Sequence, residues 1–254
     1  MAQIIFLGTA GAVADGEHEN TYLAVTCAER VLLVDASGNT IARLRQAGID
    51  PTRIDDIILT HFHPDHVSGV PILLMDMWLL GRREPVRLHG LSHALDRMEK
   101  MMELYEWWRW PNFFPVEYHR VEEAEGVLLL ENPDLRVVSA PVKHLLPTLG
   151  LRFEFPHQAK TAAYSCDTEP DPAVVRLAQG ADVLIHEAAG ATLGHSSAEQ
   201  AGVIASEAGV KALYLVHYHP KSVGGAPETL VAQAAGQFNG PVTLAQDLMR
   251  IALD

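Results

Sequence analysis

The stretch that most constrains the fold is LTHFHPDHVSG, Leu59–Gly69, where three histidines and one aspartate fall within positions 61–66, directly behind the apolar run IDDIILT. Such a run reads as an interior strand, so its polar end must open onto a loop cluster rather than onto core. In an extended segment alternate side chains share a face, so His61 and His63 point one way, while Asp65 and His66 follow Pro64, where the chain turns. The pattern H-x-H-x-D-H can divide these donors between two ions. Imidazole and carboxylate suit zinc, and more loosely manganese or iron. The alternative is a polar loop whose histidines are satisfied by hydrogen bonds; four ligand-type residues at this spacing weigh against it.

Around this cluster the chain alternates strands and helices. Apolar or β-branched runs predict strands at 3–9, 21–28, 30–36, 53–60 and 85–90, then in GVLLLEN, LRVVSAPVKH, TLGLRFEF, TAAYSCDT, DVLIHEAA and KALYLVHYHP. The last run, PVTLAQDLMRIAL, is expected to close the chain as a strand. Helical spacing marks 39–49, 69–81 and 92–108, the last with Ser92 as N-cap, followed by DPAVVRLAQGA, SSAEQAGVIASEAG and APETLVAQAAGQF. Two halves of similar grammar, with no linker between them, fit one domain over 1–254. The fold class is α+β: an αββα four-layer sandwich, two sheets face to face with helices outside.

A site for two metals needs more donors than one loop supplies. His144, Asp167 and His217 each end an apolar run that should be interior (VVSAPVKH, AAYSCD and ALYLVH). Singly each is as readily structural as functional. Together with the cluster they complete a donor set for two ions, although spacing does not fix which residue serves which ion.

Charge and cysteine content narrow the partners. Lys and Arg total 19 against 32 Asp and Glu, a formal charge of −13, so attraction to a polyanion is not built into the whole chain. Bound cations would offset part of that charge. Two cysteines, Cys27 and Cys166, are too few for a disulfide framework or a cysteine-rich zinc site, which fits a reducing, cytoplasmic setting. The N-terminus has no basic stretch of a signal peptide. No stretch reaches the roughly 18 apolar residues of a membrane span, the longest candidate being interrupted by Asp76.

The motif resembles that of the metallo-β-lactamase superfamily, and within it the ribonuclease Z group of tRNA 3′-end processing endonucleases. The resemblance runs over nearly the whole chain: IIFLGTAGAV, LVDAS with Asp35, THFHPDHVSGVPILL, VKHLLPTLG around His144, SCDT around Asp167, LIHEA with His186 and Glu187, GHSSAEQAG around His195, and LVHYH around His217. It implies the αββα fold and two divalent ions. His61, His63 and His144 would hold one, and Asp65, His66 and His217 the other, with Asp167 between. It also implies a phosphodiesterase working through a hydroxide shared by the two ions, and a homodimer. Protonation of the leaving oxygen is carried over to His195, with Glu187 orienting it. A hydrolase of small esters, lactones or thioesters on the same centre is the competing reading, and a non-catalytic binding module a third. Two departures stand out. Only 22 residues separate His144 from Asp167, which leaves no room for the tRNA-gripping arm of that group, and YHPKSVGG replaces the S-x-R-Y that often follows the last ligand.

Other residues carry weaker signals. Asp35 is read as an acceptor that orients a ligand histidine, and His186 as a core residue or a neighbour of the ligands. His219 is expected not to ligate. His18, His89, His93, His119 and His157 lack ligand-type company and read as surface or core. The aromatic stretch YEWWRWPNFFPVEY, 105–118, reads as core or a dimer contact, or else as a lid that stacks on a substrate ring.

Overall fold

The computed structural model describes residues 2–28 and 30–253. The first half builds strands β1 (Gln3–Gly8), β2 (Tyr22–Cys27), β3 (Arg30–Val34), β4 (Ile54–Leu59), β5 (Val86–Leu91) and β6 (Val116–Val121). Its helices are α1 (Thr40–Gln46), α2 (Pro64–Val67), α3 (Val70–Leu79) and α4 (Ser92–Leu104). The second half builds β7 (Val127–Glu131), β8 (Arg136–Val142), β9 (Thr148–Phe155), β10 (Lys160–Tyr164), β11 (Val183–Glu187), β12 (Ala212–Val216), β13 (Val242–Leu244) and β14 (Arg250–Ala252). Its helices are α5 (Pro172–Ala178), α6 (Ala198–Ala208) and α7 (Pro227–Ala235).

The strands form two sheets of seven, ordered β14-β1-β2-β3-β4-β5-β6 and β13-β12-β11-β10-β9-β8-β7. Each sheet begins with antiparallel hairpins and becomes parallel from β3 to β6 and from β10 to β13. Parallel neighbours require crossovers, and crossovers of one hand lay their helices on one face of the sheet. The opposite face of each sheet is left to pack on the other sheet. Strand alternation then sorts the apolar residues into three layers. Phe6, Val34 and Ile58 meet Leu151, Tyr164 and Ile185 between the sheets. Leu33, Ile57 and Leu59 pack outward on α1, α3 and α4, and Leu184 and Leu213 on α5 and α6. This is the four-layer sandwich expected from the sequence. No helix among the described residues is long and apolar enough to cross a membrane.

Three local expectations are corrected. The closing run is not one strand: β13 pairs with β12 in the second sheet, while β14 pairs with β1 in the first. Asp247 between them anchors the crossing, accepting bonds from Thr9 Oγ1 (2.7 Å) and Glu19 N (2.9 Å) and pairing with Arg43. Ser92 is not the N-cap of α4, because β5 runs straight into the helix and buried Leu91, still extended, occupies the cap. The predicted helix 92–108 ends at Leu104; Glu106 turns left-handed, and Trp107–Arg109 form a single 3₁₀ turn. The aromatic stretch leads into edge strand β6, missed because its side chains are mostly half-exposed. Trp110 stacks on Trp78 (5.3 Å), and Phe113 on buried Phe114 (4.5 Å), so this stretch covers the outer core of the first sheet. Tyr105 and Trp108 stay 56% and 59% exposed.

Strands β3, β4, β8, β10, β11 and β12 all end at one rim of the sandwich, where the loops that follow them carry Asp35, His61, His144, Asp167 and His217. Open sheets gather their sites at such carboxyl ends. A backbone bond from Leu149 N to Thr60 O (3.1 Å) ties the two sheets there.

Candidate metal centre

After β4 the chain stays extended through His63, and Pro64 then starts α2 at a position where its missing N–H costs nothing. His61 and His63 therefore project from extended backbone, whereas Asp65 and His66 project from a helical turn. That change of backbone separates the motif into two donor groups.

In one group His61 Nε2 lies 2.9 Å from His63 Nδ1, and His144 Nε2 lies 3.1 Å from the same atom. In the other, Asp65 Oδ2 is 3.6 Å from His66 Nε2 and 3.5 Å from His217 Nε2. Asp167 Oδ2 stands between them, at 3.9 Å from His61 and His144, 3.5 Å from His66 and 3.3 Å from His217. The structure thus brings together all the candidate ligands of the sequence. His219 is exposed and does not converge with them.

The donor chemistry fits divalent cations. His66 Nε2, both ring nitrogens of His217 and Asp167 Oδ1 are buried with no hydrogen-bond partner among the described residues. Leaving such atoms unpaired costs on the order of 1–3 kcal/mol each, a penalty that a cation removes. Burial pushes His61, His63 and His144 below the ordinary imidazole value, which keeps these rings in the neutral form that ligates. Burial works to raise Asp167, yet His217 and His66 hold its carboxyl well below the usual range.

Neighbouring groups aim the ligands. Asp35 accepts at Oδ2 from His66 Nδ1 (2.8 Å) and Thr60 Oγ1 (2.7 Å), and at Oδ1 from Thr60 N (2.8 Å). His144 Nδ1 donates to Gly194 O at 2.7 Å. With one ring nitrogen occupied in this way, the other is directed inward. Asp35, Cys166 and His217 adopt left-handed backbone with φ of 61°, 54° and 53°. Non-glycine residues rarely do so, and strain of this kind is held where surrounding structure fixes the side chains.

Beside the donors, Glu187 is fully buried and accepts from Thr168 N (3.1 Å), Ser196 N (3.0 Å), Ala189 N (2.9 Å) and His195 Nδ1 (3.0 Å). That bond raises the His195 ring above its ordinary value. His195 stacks on His217 with ring centres 5.5 Å apart and meets the edge of His144 at 5.1 Å. His186 faces the other side of β11, where burial pushes it down to about 4, and its ring's one hydrogen bond among the described residues is to the Glu187 carbonyl oxygen. Sequence reasoning missed Gly194, which accepts from His144, and Thr60, which fastens Asp35. A glycine wedged between ligand-bearing loops is the signal that could have pointed to the first.

Residues 30–218 match the family model described as Beta-lactamase superfamily domain. The chain is 28% identical to Ribonuclease Z of Methanothermobacter thermautotrophicus over 306 aligned positions, covering 99% of this chain and 96% of that protein. It is 27% identical to Ribonuclease Z of Mycobacterium marinum, covering 99% and 98%. The fold superposes on the metallo-beta-lactamase fold protein YhfI from Bacillus subtilis with a TM-score of 0.84 at 19% identity, covering 98% of each chain. Against human tRNase Z, short form, the TM-score is 0.81 at 22% identity, covering 99% of each chain.

Proposed function

We propose, from the premise that the chain belongs to the β-lactamase superfamily, that this metal-dependent hydrolase cleaves phosphodiesters in the manner of ribonuclease Z, on RNA or a small phosphodiester. The observation that carries this reading is the pair of donor groups sharing Asp167 Oδ2, with the His195–Glu187 pair alongside. His61, His63 and His144 would hold one divalent ion and Asp65, His66 and His217 the other, with Asp167 reaching both. When bound, such ions lower the pKa of water and draw charge from phosphoryl oxygens.

The protein's own residues do the rest. His195 has Nδ1 fixed on Glu187, so its Nε2 is the atom that carries a proton to the departing oxygen. Glu187, bonded by three backbone N–H groups besides His195, holds that ring still. Asp35 and Gly194 keep His66 and His144 turned inward. The donor set, five imidazoles and two carboxylates, suits zinc. A homodimer in the cytoplasm completes the reading. Exposed Tyr105 and Trp108 support the former, and two buried free cysteines the latter.

Bis-p-nitrophenyl phosphate, a lactone and a thioester, assayed with zinc or manganese, test the reading. Phosphodiester turnover should dominate, and His63→Ala should abolish it together with metal loading at one position. Lactone opening without phosphodiester turnover would favour the ester-hydrolase alternative. The hairpin of β9 and β10 fills the span where an arm would lie, so small phosphodiesters should be cut faster than precursor tRNA.

A further inference from the structure

Two exposed leucines stand beside the Asp167 centre, on the side of His195. Leu145 directly follows the candidate ligand His144 in the loop between β8 and β9, and Leu193 directly precedes Gly194 in the loop between β11 and α6. The two loops are joined where His144 Nδ1 donates to Gly194 O at 2.7 Å. Leu145 lies against the same glycine, since a Cβ there would meet Leu145 Cγ at 3.1 Å. The next residue, His195, meets the edge of the His144 ring at 5.1 Å. Despite this close junction, Leu145 is 55% exposed and Leu193 74%.

Charge on these two loops is balanced. Residues 143–147 and 188–197 hold a single Lys or Arg, Lys143. Its Nζ lies 2.5 Å from Glu169 Oε2, and Glu169 Oε1 accepts from Gly194 N at 3.1 Å. A chain of nucleotides is tracked by free cations, one near each phosphate, and this side of the centre offers none. A leucine exposed singly needs no explanation. Two that come from separate loops and meet at His195 give a bound molecule apolar surface to cover, at the one place where a departing group would lie.

We infer that Leu145 and Leu193 form the leaving-group subsite, and that the preferred diester carries an uncharged apolar group, aryl or alkyl, on its departing oxygen. This rests on the phosphodiesterase reading, in which His195 serves that oxygen. The bond from phosphorus to it breaks with the electron pair left on oxygen, which takes the proton from His195. The group attached to that oxygen then extends past His195 over the two leucines. The retained side of the diester faces away from them.

The test uses zinc-loaded protein and three diesters. Methyl p-nitrophenyl phosphate is compared with a diester whose departing p-nitrophenol bears a propyl group, and with butyl p-nitrophenyl phosphate, where the extra chain sits on the retained side. The departing-side propyl group should lower KM roughly tenfold in wild type and only about twofold in Leu193→Ser. Leu193→Phe should keep the wild-type gain, and the retained-side chain should bring no gain that depends on Leu193. Binding by calorimetry supplies a readout without turnover: wild type should prefer phenylphosphonate to methylphosphonate roughly tenfold, and Leu193→Ser should lose that preference. If no diester is turned over while this preference holds, the phosphodiesterase reading fails and the apolar subsite is supported. A departing-side gain that survives Leu193→Ser, or no phenyl preference in wild type, overturns the subsite. A shifted gel-filtration volume of Leu193→Ser with the KM ratio intact also overturns it, and assigns the leucines to contact with a second copy of the chain.

Discussion

At the scale of single residues, His195 shows what contact adds where residue type leaves a side chain's use open. A lone histidine in a polar loop is ordinarily unremarkable. Here its Nδ1 is tied to a fully buried carboxylate at 3.0 Å and its ring lies on His217, which leaves one nitrogen facing the centre. If Nε2 delivers the proton to the leaving oxygen, His195→Ala must hurt most where the leaving group is most basic. Turnover of a nucleotide with an alkoxide leaving group should fall on the order of 10²–10⁴-fold. Bis-p-nitrophenyl phosphate, whose p-nitrophenolate departs without a proton, should lose far less, with metal content unchanged. Equal losses on both substrates would mean that the ring only shapes the pocket. The candidate role of Glu187 was legible only through the family resemblance, because an acid at a strand end is as readily a cap. Its N–H donors come from two loops, Thr168 after β10 and Ala189, His195 and Ser196 after β11.

At the scale of elements, the loop before α6 couples a helix to the metal centre. Ser197 and Gln200 form a reciprocal capping box, so the helix start, and the loop entering it, is rigid. Gly194 in that loop has φ +84°, and a Cβ there would sit 2.9 Å from His144 Nδ1. Gly194→Ala therefore meets a backbone penalty and a clash at the atom it orients. The expected result is a roughly 10–100-fold loss of metal affinity, measured by competition with a chromophoric chelator, while far-ultraviolet circular dichroism stays native. Helices and strands with strong periodicity were read correctly from the chain. The misread pieces were short: the edge strand β6, the end of α4 and the cap at Ser92, each decided by neighbours rather than by local preference.

At the scale of the whole molecule, the C-terminal segment closes the sandwich by visiting both sheets. Asp247, between β13 and β14, gathers Thr9, Glu19 and Arg43 from the first sheet and its helix layer. Asp247→Asn should lower unfolding free energy by about 2 kcal/mol, seen as a lower urea midpoint with an unchanged slope. An unaltered midpoint would show that the pairing of β14 with β1 suffices alone. The amino-acid order determined by itself the alternation of strand and helix, hence the layers, and the six-residue span that supplies four of the candidate metal donors. Those are local properties: periodicity and spacing act over a few residues. Tertiary structure alone decided which side chains meet. His89 and His119 look isolated in the chain, yet adjacent parallel strands must be joined by a long crossover, so partners across them lie thirty residues apart. The same holds for Asp167 reaching both donor groups, since that convergence exists only once two separately wound sheets are pressed together.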